Sequence, residues 1–180
     1  MSILRFWGLF LVTLVSDQLT KSWAERNKDE LIQYPIVVVD WLDGYEAFLE
    51  FTYITNPGAA WSMFSDYPEV LTALAFVALL GIFFFRRSLE LEKAGPQIIF
   101  GLIAGGIAGN LCDRLFRTPA AVVDFIDVYL PLLDYDYPIF NLADSFIFLG
   151  VFSYIIRGFR EATEEKKARL ASEATNSSDS

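Results

Sequence analysis

The stretch IFNLADSFIFLGVFSYII, residues 139–156, is apolar enough to cross a bilayer, yet Asp144 sits near its beginning. A carboxylate at the centre of a lipid-facing helix costs roughly 2.5–3.5 kcal/mol even on the mildest scale. Asp144 must either sit where water reaches it or have a task that offsets that cost. Three further stretches have the same greasy character, so the sequence predicts four membrane-spanning helices at about residues 3–23, 67–85, 96–116 and 137–157. Each approaches the roughly 20 helical residues needed to span the hydrocarbon core. The first, despite Arg5, runs past signal-peptide length and is read as a retained helix.

Composition agrees. Of 180 residues, 54% are hydrophobic, and 17 are Phe. A net charge of −9 argues against a nucleic-acid partner, whose phosphates call for a basic surface. The chain has one Cys and no His, which excludes Ser-His-Asp and Cys-His catalysis and His-based zinc or haem sites. Chemistry is left to carboxylates, Lys, Ser, Thr, Tyr or an oxygen-ligated metal. Cys112 reads as a small core residue.

Basic residues orient the chain. Arg5, Arg86, Arg87, Lys93, Arg157, Arg160, Lys166, Lys167 and Arg169 fall on one side, and Lys21, Arg26, Lys28, Arg114 and Arg117 on the other. Both termini are therefore expected in the cytoplasm. Residues 1–160 read as one bundle, and 161–180 as a cytoplasmic tail, a short frayed helix followed by disorder. The outward loops are 24–66 and 117–136. The first holds two β-branched and aromatic runs around DWLDGYE, which predicts a small antiparallel sheet on the membrane surface. The second holds a shorter extended stretch, AAVVDFIDVYL.

The polar residues inside the spans align. Asp17, Thr20 and Lys21 share one face of the first helix, and Asn110, Asp113 and Arg114 one face of the third. Asn141, Asp144 and Ser145 open the fourth. Given alternating helix directions, all three sets fall at one depth near the outer surface, as a shared hydrated pocket requires. Gly101, Gly105 and Gly109 form a small-residue stripe for close helix packing.

Two neighbouring carboxylates resist joint ionisation, so one acts as acid and the other as base toward a water between them. That hydrolyses a peptide bond without His, Cys or metal. The candidates are Asp17, Asp113, Asp124 and Asp144. Asp113 and Asp17 have Arg114 and Lys21 close in sequence, which favours salt bridges. Asp124, among Val122, Val123, Phe125 and Ile126, and Asp144 have no such neighbour. Residue setting favours Asp124 with Asp144, and leaves Asp127 as an equally available alternative to Asp124.

The pieces DQLTK (residues 17–21), NPGAAW (56–61), GNLCDR (109–114), VVDF (122–125) and FNLAD (140–144) stand in one order. In that order the chain resembles the lipoprotein signal peptidase (signal peptidase II) family over roughly residues 3–158. The resemblance implies an intramembrane aspartic endopeptidase of the bacterial inner membrane. Its substrate would be a prolipoprotein whose Cys already carries diacylglycerol, cut just before that Cys near the extracytoplasmic face. It implies Asp124 and Asp144 as the dyad, with Asp17, Lys21, Asn56, Gly58, Asn110, Asp113, Arg114 and Asn141 supporting the site or holding substrate. Asn110 and Asn141 are expected to orient the dyad, and Asn56 and Arg114 to contact the substrate backbone. Beyond substrate and membrane lipid no partner is implied, the expected state is a monomer, and no metal or cofactor is expected. Trp61 replaces the family's usual Phe. Asp40, Asp43, Glu46 and Glu50 make the first outer loop acidic, and Asp134 and Asp136 have no expected role.

Rival readings are a proton-coupled transporter, for which intramembrane acids are also usual, a carboxylate divalent-cation site, and a structural scaffold. The transporter would want polar residues at both faces, whereas the inner halves of the four helices are almost wholly apolar.

Overall fold

The computed structural model of the chain describes residues 3–40, 47–58 and 63–178. The turn expected around 41–46, with Asp43 and Glu46, and the Trp61 substitution lie outside them. The elements run α1 (Leu4–Arg26), α2 (Lys28–Gln33), β1 (Ile36–Val39), β2 (Leu49–Asn56), α3 (Pro68–Phe84), α4 (Ala94–Phe116), β3 (Val122–Leu130), β4 (Tyr135–Phe140) and α5 (Leu142–Ser178).

The helices form around α4, which packs against α1, α5 and α3. Its glycines make this possible. A Cβ on Gly101 would stand 2.9 Å from the Phe6 carbonyl oxygen, and one on Gly105 2.7 Å from Thr13 Cβ. One on Gly109 would stand 2.4 Å from Asp17 Oδ2. The small-residue stripe is therefore the seam between α1 and α4. Away from α4 the helices turn apolar side chains outward: Leu4, Trp7, Leu11, Val12, Val15 and Leu19 on α1, and Phe148, Phe152 and Ile155 on α5. Helix α3 buries no residue. Among the described residues, two helical stretches, Ala94–Phe116 and Leu142–Ala171, are long and apolar enough to cross a membrane. At the far end of the bundle, the α3–α4 connection holds α5 through Glu90, which receives Arg157 Nη2 and pairs with Lys93.

The expected antiparallel sheet forms, and it is larger than the first outer loop. Four strands pair antiparallel in the order β1-β2-β3-β4. It rests on α1 and α2 through Ala24, Leu31, Val123 and Phe125, with Trp23, Phe51 and Phe125 meeting edge to face at 5.8–6.2 Å.

Element boundaries differ from the sequence expectation in places: the first run expected as strand, LIQYPIVVV, opens inside α2, and only Ile36–Val39 of it is β1. The fourth helix begins at Leu142 rather than 137, because Tyr137 pairs with Val128 and Phe140 with Ile126, which makes 137–140 part of β4. The extended stretch AAVVDFIDVYL expected within 117–136 is β3, which pairs with β2. The tail, expected to be a short frayed helix followed by disorder, continues α5 as helix through Ser178, consistent with its Glu, Ala, Lys and Arg content and with the pairs Arg157–Glu161 and Lys167–Glu164 at helical spacing.

Candidate active site

Asp144 stands where α5 starts. Asn141 precedes the helix, and its Oδ1 accepts the Asp144 N–H at 3.0 Å, while Asp144 Oδ2 accepts the Asn141 N–H at 3.2 Å. This reciprocal capping box satisfies donors that have no partner inside the helix. Asp17 of α1 adds an acceptor from the neighbouring helix: its Oδ1 takes the Ala143 N–H at 2.9 Å. Asp144 Oδ1 remains for a side chain and accepts Asn110 Nδ2 at 2.7 Å.

Asp124 comes from β3. Its neighbours Val123 and Phe125 face the core below the sheet, so strand alternation sends Asp124 to the opposite face. It is only 2% exposed. Asn141 Nδ2 donates to Asp124 Oδ1 at 2.6 Å, and Asn56 Nδ2 donates to Oδ2 at 3.1 Å. Burial, and after it the charge of Asp144, pushes the Asp124 carboxyl up to about 7 against the pull of these amides. Each amide is itself fixed. Asn56 Oδ1 accepts the Gly58 N–H at 2.9 Å. Asn110 Oδ1 accepts Lys21 Nζ at 2.8 Å and Asn141 Nδ2 at 3.1 Å, which leaves its Nδ2 for Asp144. Asn141 thus touches both carboxylates.

Behind them lies a sealed charge cluster. Lys21, Asp17 and Asp113 are all fully buried, with Lys21 Nζ 3.0 Å from Asp17 Oδ2 and 2.8 Å from Asp113 Oδ2. Asp113 also receives Arg117 Nε at 2.8 Å, Gln18 Nε2 at 3.1 Å and the Val123 N–H at 3.3 Å. Removing one member of such a cluster leaves buried charge uncompensated, typically a loss of about 3–5 kcal/mol. The expected Asp113–Arg114 pairing is corrected here. Successive helical residues point about 100° apart, so Arg117, one turn on, takes Asp113 while Arg114 turns toward the cavity. There its Nη2 donates to the Gly58 carbonyl at 2.9 Å.

A cavity of about 480 Å³ opens onto Asp124 and Asp144. Asn56, Gly58, Asn110 and Arg114 complete its polar side, and Ile147, Phe148 and Val151 of α5 form an apolar wall. Asn141 and the Lys21 cluster lie behind this lining. Asp127 does not line it. Sequence reasoning missed Gln18, whose Nε2 reaches Asp17, Gly109 and Asp113. It also missed the Arg117–Glu25–Tyr53 chain, in which Tyr53 Oη donates to Glu25 at 2.6 Å and ties β2 to α1. The Asp113–Arg117 spacing of four was a readable signal for the pair that places Arg117 at the head of that chain; nothing local announced Gln18.

The chain is similar to proteins of known standing over most of its length. The family model described as signal peptidase (SPase) II matches residues 9–160. A lipoprotein signal peptidase of Acaryochloris marina is 38% identical over 152 residues, covering 82% of this chain and 84% of the relative. A lipoprotein signal peptidase of Shewanella sp. strain MR-4 is 33% identical, with 91% of each chain covered. A solved bacterial membrane enzyme, determined in meso at 2.3 Å resolution, superposes with a TM-score of 0.73 at 28% identity, covering 87% of this chain and 88% of that one. With its helical bundle, its antiparallel sheet and a family match running from α1 into α5, the chain belongs to the signal peptidase II family of proteases.

Proposed function

We propose that Asp124 and Asp144 are the catalytic dyad of an aspartic endopeptidase that removes the signal peptide from diacylglyceryl-modified prolipoproteins, cutting the bond before the lipidated Cys. The observation that carries this reading is the meeting of two carboxylates, one from β3 and one from α5, over a single cavity, joined by the amides of Asn141 and Asn110. The names of the relatives support the substrate class.

The chemistry follows from the difference between the two acids. Asp124, pushed up to about 7, holds a proton near neutrality and donates it to the oxygen of the scissile carbonyl. Asp144, with the Asn110 amide and the Asn141 N–H on its two oxygens, takes a proton from a water, whose oxygen bonds to the carbonyl carbon. Asp144 then gives that proton to the leaving nitrogen as the C–N bond breaks, and Asp124 recovers its own from the hydroxyl of the tetrahedral intermediate. Arg114 contacts the substrate backbone: its buried Nε has no hydrogen-bond partner among the described residues, and a peptide carbonyl supplies one.

In this reading α1, α3, α4 and the first part of α5 are four spans of the bacterial inner membrane, with both termini cytoplasmic and the sheet and dyad near the outer face. Residues 1–160 are the peptidase domain, and 161–180 a cytoplasmic extension. The monomer is the working unit. Helix α1 fits a span despite its charges, since Asp17 and Lys21 are 0% exposed and its outward residues are apolar.

The test is direct. Asp124→Asn and Asp144→Asn should each slow cleavage of a lipidated prolipoprotein by about 10²–10⁴-fold or more, with both variants inserting and folding normally. Asp127→Asn should cleave at the wild-type rate. Near-normal turnover by either dyad variant ends the assignment.

A further inference from the structure

Each aspartate of the dyad follows a residue whose backbone is held by an acid of the buried cluster. Asp17 Oδ1 accepts the N–H of Ala143 at 2.9 Å, one residue before Asp144. Asp113 Oδ2 accepts the N–H of Val123 at 3.3 Å, one residue before Asp124. Consecutive Cα atoms are held about 3.8 Å apart, so a shift of either acid is passed on to the dyad residue next in line. The separation of Asp17 and Asp113 therefore governs how α5 and β3 present their two carboxyl groups to each other.

Two donors span that separation. Lys21 Nζ lies 3.0 Å from Asp17 Oδ2 and 2.8 Å from Asp113 Oδ2. Gln18 Nε2 lies 3.2 Å from Asp17 Oδ2 and 3.1 Å from Asp113 Oδ1, with the Gly109 carbonyl as a third neighbour at 3.1 Å. The two donors differ in kind. Lys21, with Arg117, balances the charge of the two acids, and it also holds Asn110 Oδ1. Gln18 is neutral and adds a second cross-link without altering that balance. Its amide nitrogen carries two hydrogens, the number that joining two acids requires. One bridge leaves the acids free to pivot about it; a second, on the other oxygen of Asp113, removes that freedom.

We propose that Gln18 is a positioning residue for the dyad: its carboxamide locks Asp17 to Asp113 and, through the Ala143 and Val123 amides, fixes the spacing of Asp144 and Asp124. The inference rests on the proposed function and adds to it a residue that does not line the cavity. Substituting Gln18 strands no charge, whereas substituting Lys21 would leave two buried carboxylates uncompensated.

Two variants test it in the full-length enzyme in lipid nanodiscs, with a lipidated prolipoprotein as substrate and rates taken per folded enzyme. Gln18→Met keeps the unbranched shape and removes the donor. Gln18→Asn keeps the amide and draws it back by one methylene. Each should lower kcat about 10–100-fold, the scale of a displacement of up to about 1 Å at a reacting group, and leave KM within about twofold. Leu19→Met, on the outward face of α1, should cleave as the wild type does. A wild-type kcat in either Gln18 variant would overturn the positioning role and leave the peptidase reading intact. A rise in KM at unchanged kcat, or failure of both variants to fold, marks a role in binding or folding alone and also overturns it. Normal cleavage by Asp124→Asn or Asp144→Asn overturns both readings together.

Discussion

Asp124 lies between Val123 and Phe125, and those two side chains determine its chemistry. By entering the core beneath the sheet they carry the carboxyl into a site 2% exposed, beside a second acid. Its raised value has a definite sign in activity. In the proposed mechanism the proton Asp124 donates is present below about 7 and lost above it, so kcat/KM should fall on the alkaline side with an apparent midpoint near 7. The midpoint belongs to the coupled pair rather than to one residue. A pH–rate profile flat from 6 to 9 would contradict the assignment of Asp124 as the acid. The burial of Asp124 was legible in the sequence because its neighbours are apolar. The choice between Asp124 and Asp127 was not, since both are flanked by apolar residues. The sheet separates them: Asp124 lines the same cavity as Asp144, and Asp127 a neighbouring one. The partners of Asp113 were misread for a different reason. Adjacency along the chain suggested Arg114, whereas helical geometry gives the contact to Arg117.

The elements carry a lesson about short apolar runs. Residues 137–140 continue the greasy pattern of α5 without a break, and periodicity alone cannot tell a strand from a helix over four residues. Pairing with β3, which no local signal announces, makes them strand. The helix boundary was nevertheless written in the sequence: Asn141 followed by Asp144 three residues on is a capping pattern. The glycine stripe was legible as a packing seam, though not its partner. Its partner is α1, and the tightest point is Gly109 against Asp17. Gly109→Ala should therefore destabilise the protein by about 1–3 kcal/mol and lower activity, because Asp17 also accepts from the Ala143 N–H at the start of α5. Gly81→Ala, with nothing within 4 Å of the added methyl, should be neutral or stabilising by up to about 1 kcal/mol. Thermal unfolding of the two variants in the same detergent checks both.

At the scale of the whole molecule, polarity is arranged with charge inside and hydrocarbon outside. Lys21, Asp17 and Asp113 are sealed between helices whose outer faces expose Trp7, Leu11, Phe83, Phe84 and Phe148. Composition announced this arrangement; the alignment of the polar sets suggested one shared hydrated pocket, whereas only Asn110, Arg114 and Asp144 of those sets line the cavity and Asp17, Lys21 and Asp113 are sealed away from it. What composition could not give is how the far ends of the bundle are tied. Helix α5 is fastened twice along one rod, to α4 by the Asp144–Asn110 bond and to the α3–α4 connection by Arg157–Glu90. The two fastenings are 13 residues apart, so they are phased like teeth on a single shaft. One extra alanine between Phe152 and Arg157 turns one end by about 100° against the other, and only one of the two catches can then engage. Such an insertion should cost cleavage or the Arg157 anchorage even though it touches no residue of the cavity. Comparing cleavage by this insertion with that of the wild type would expose this gearing between the two ends of the bundle.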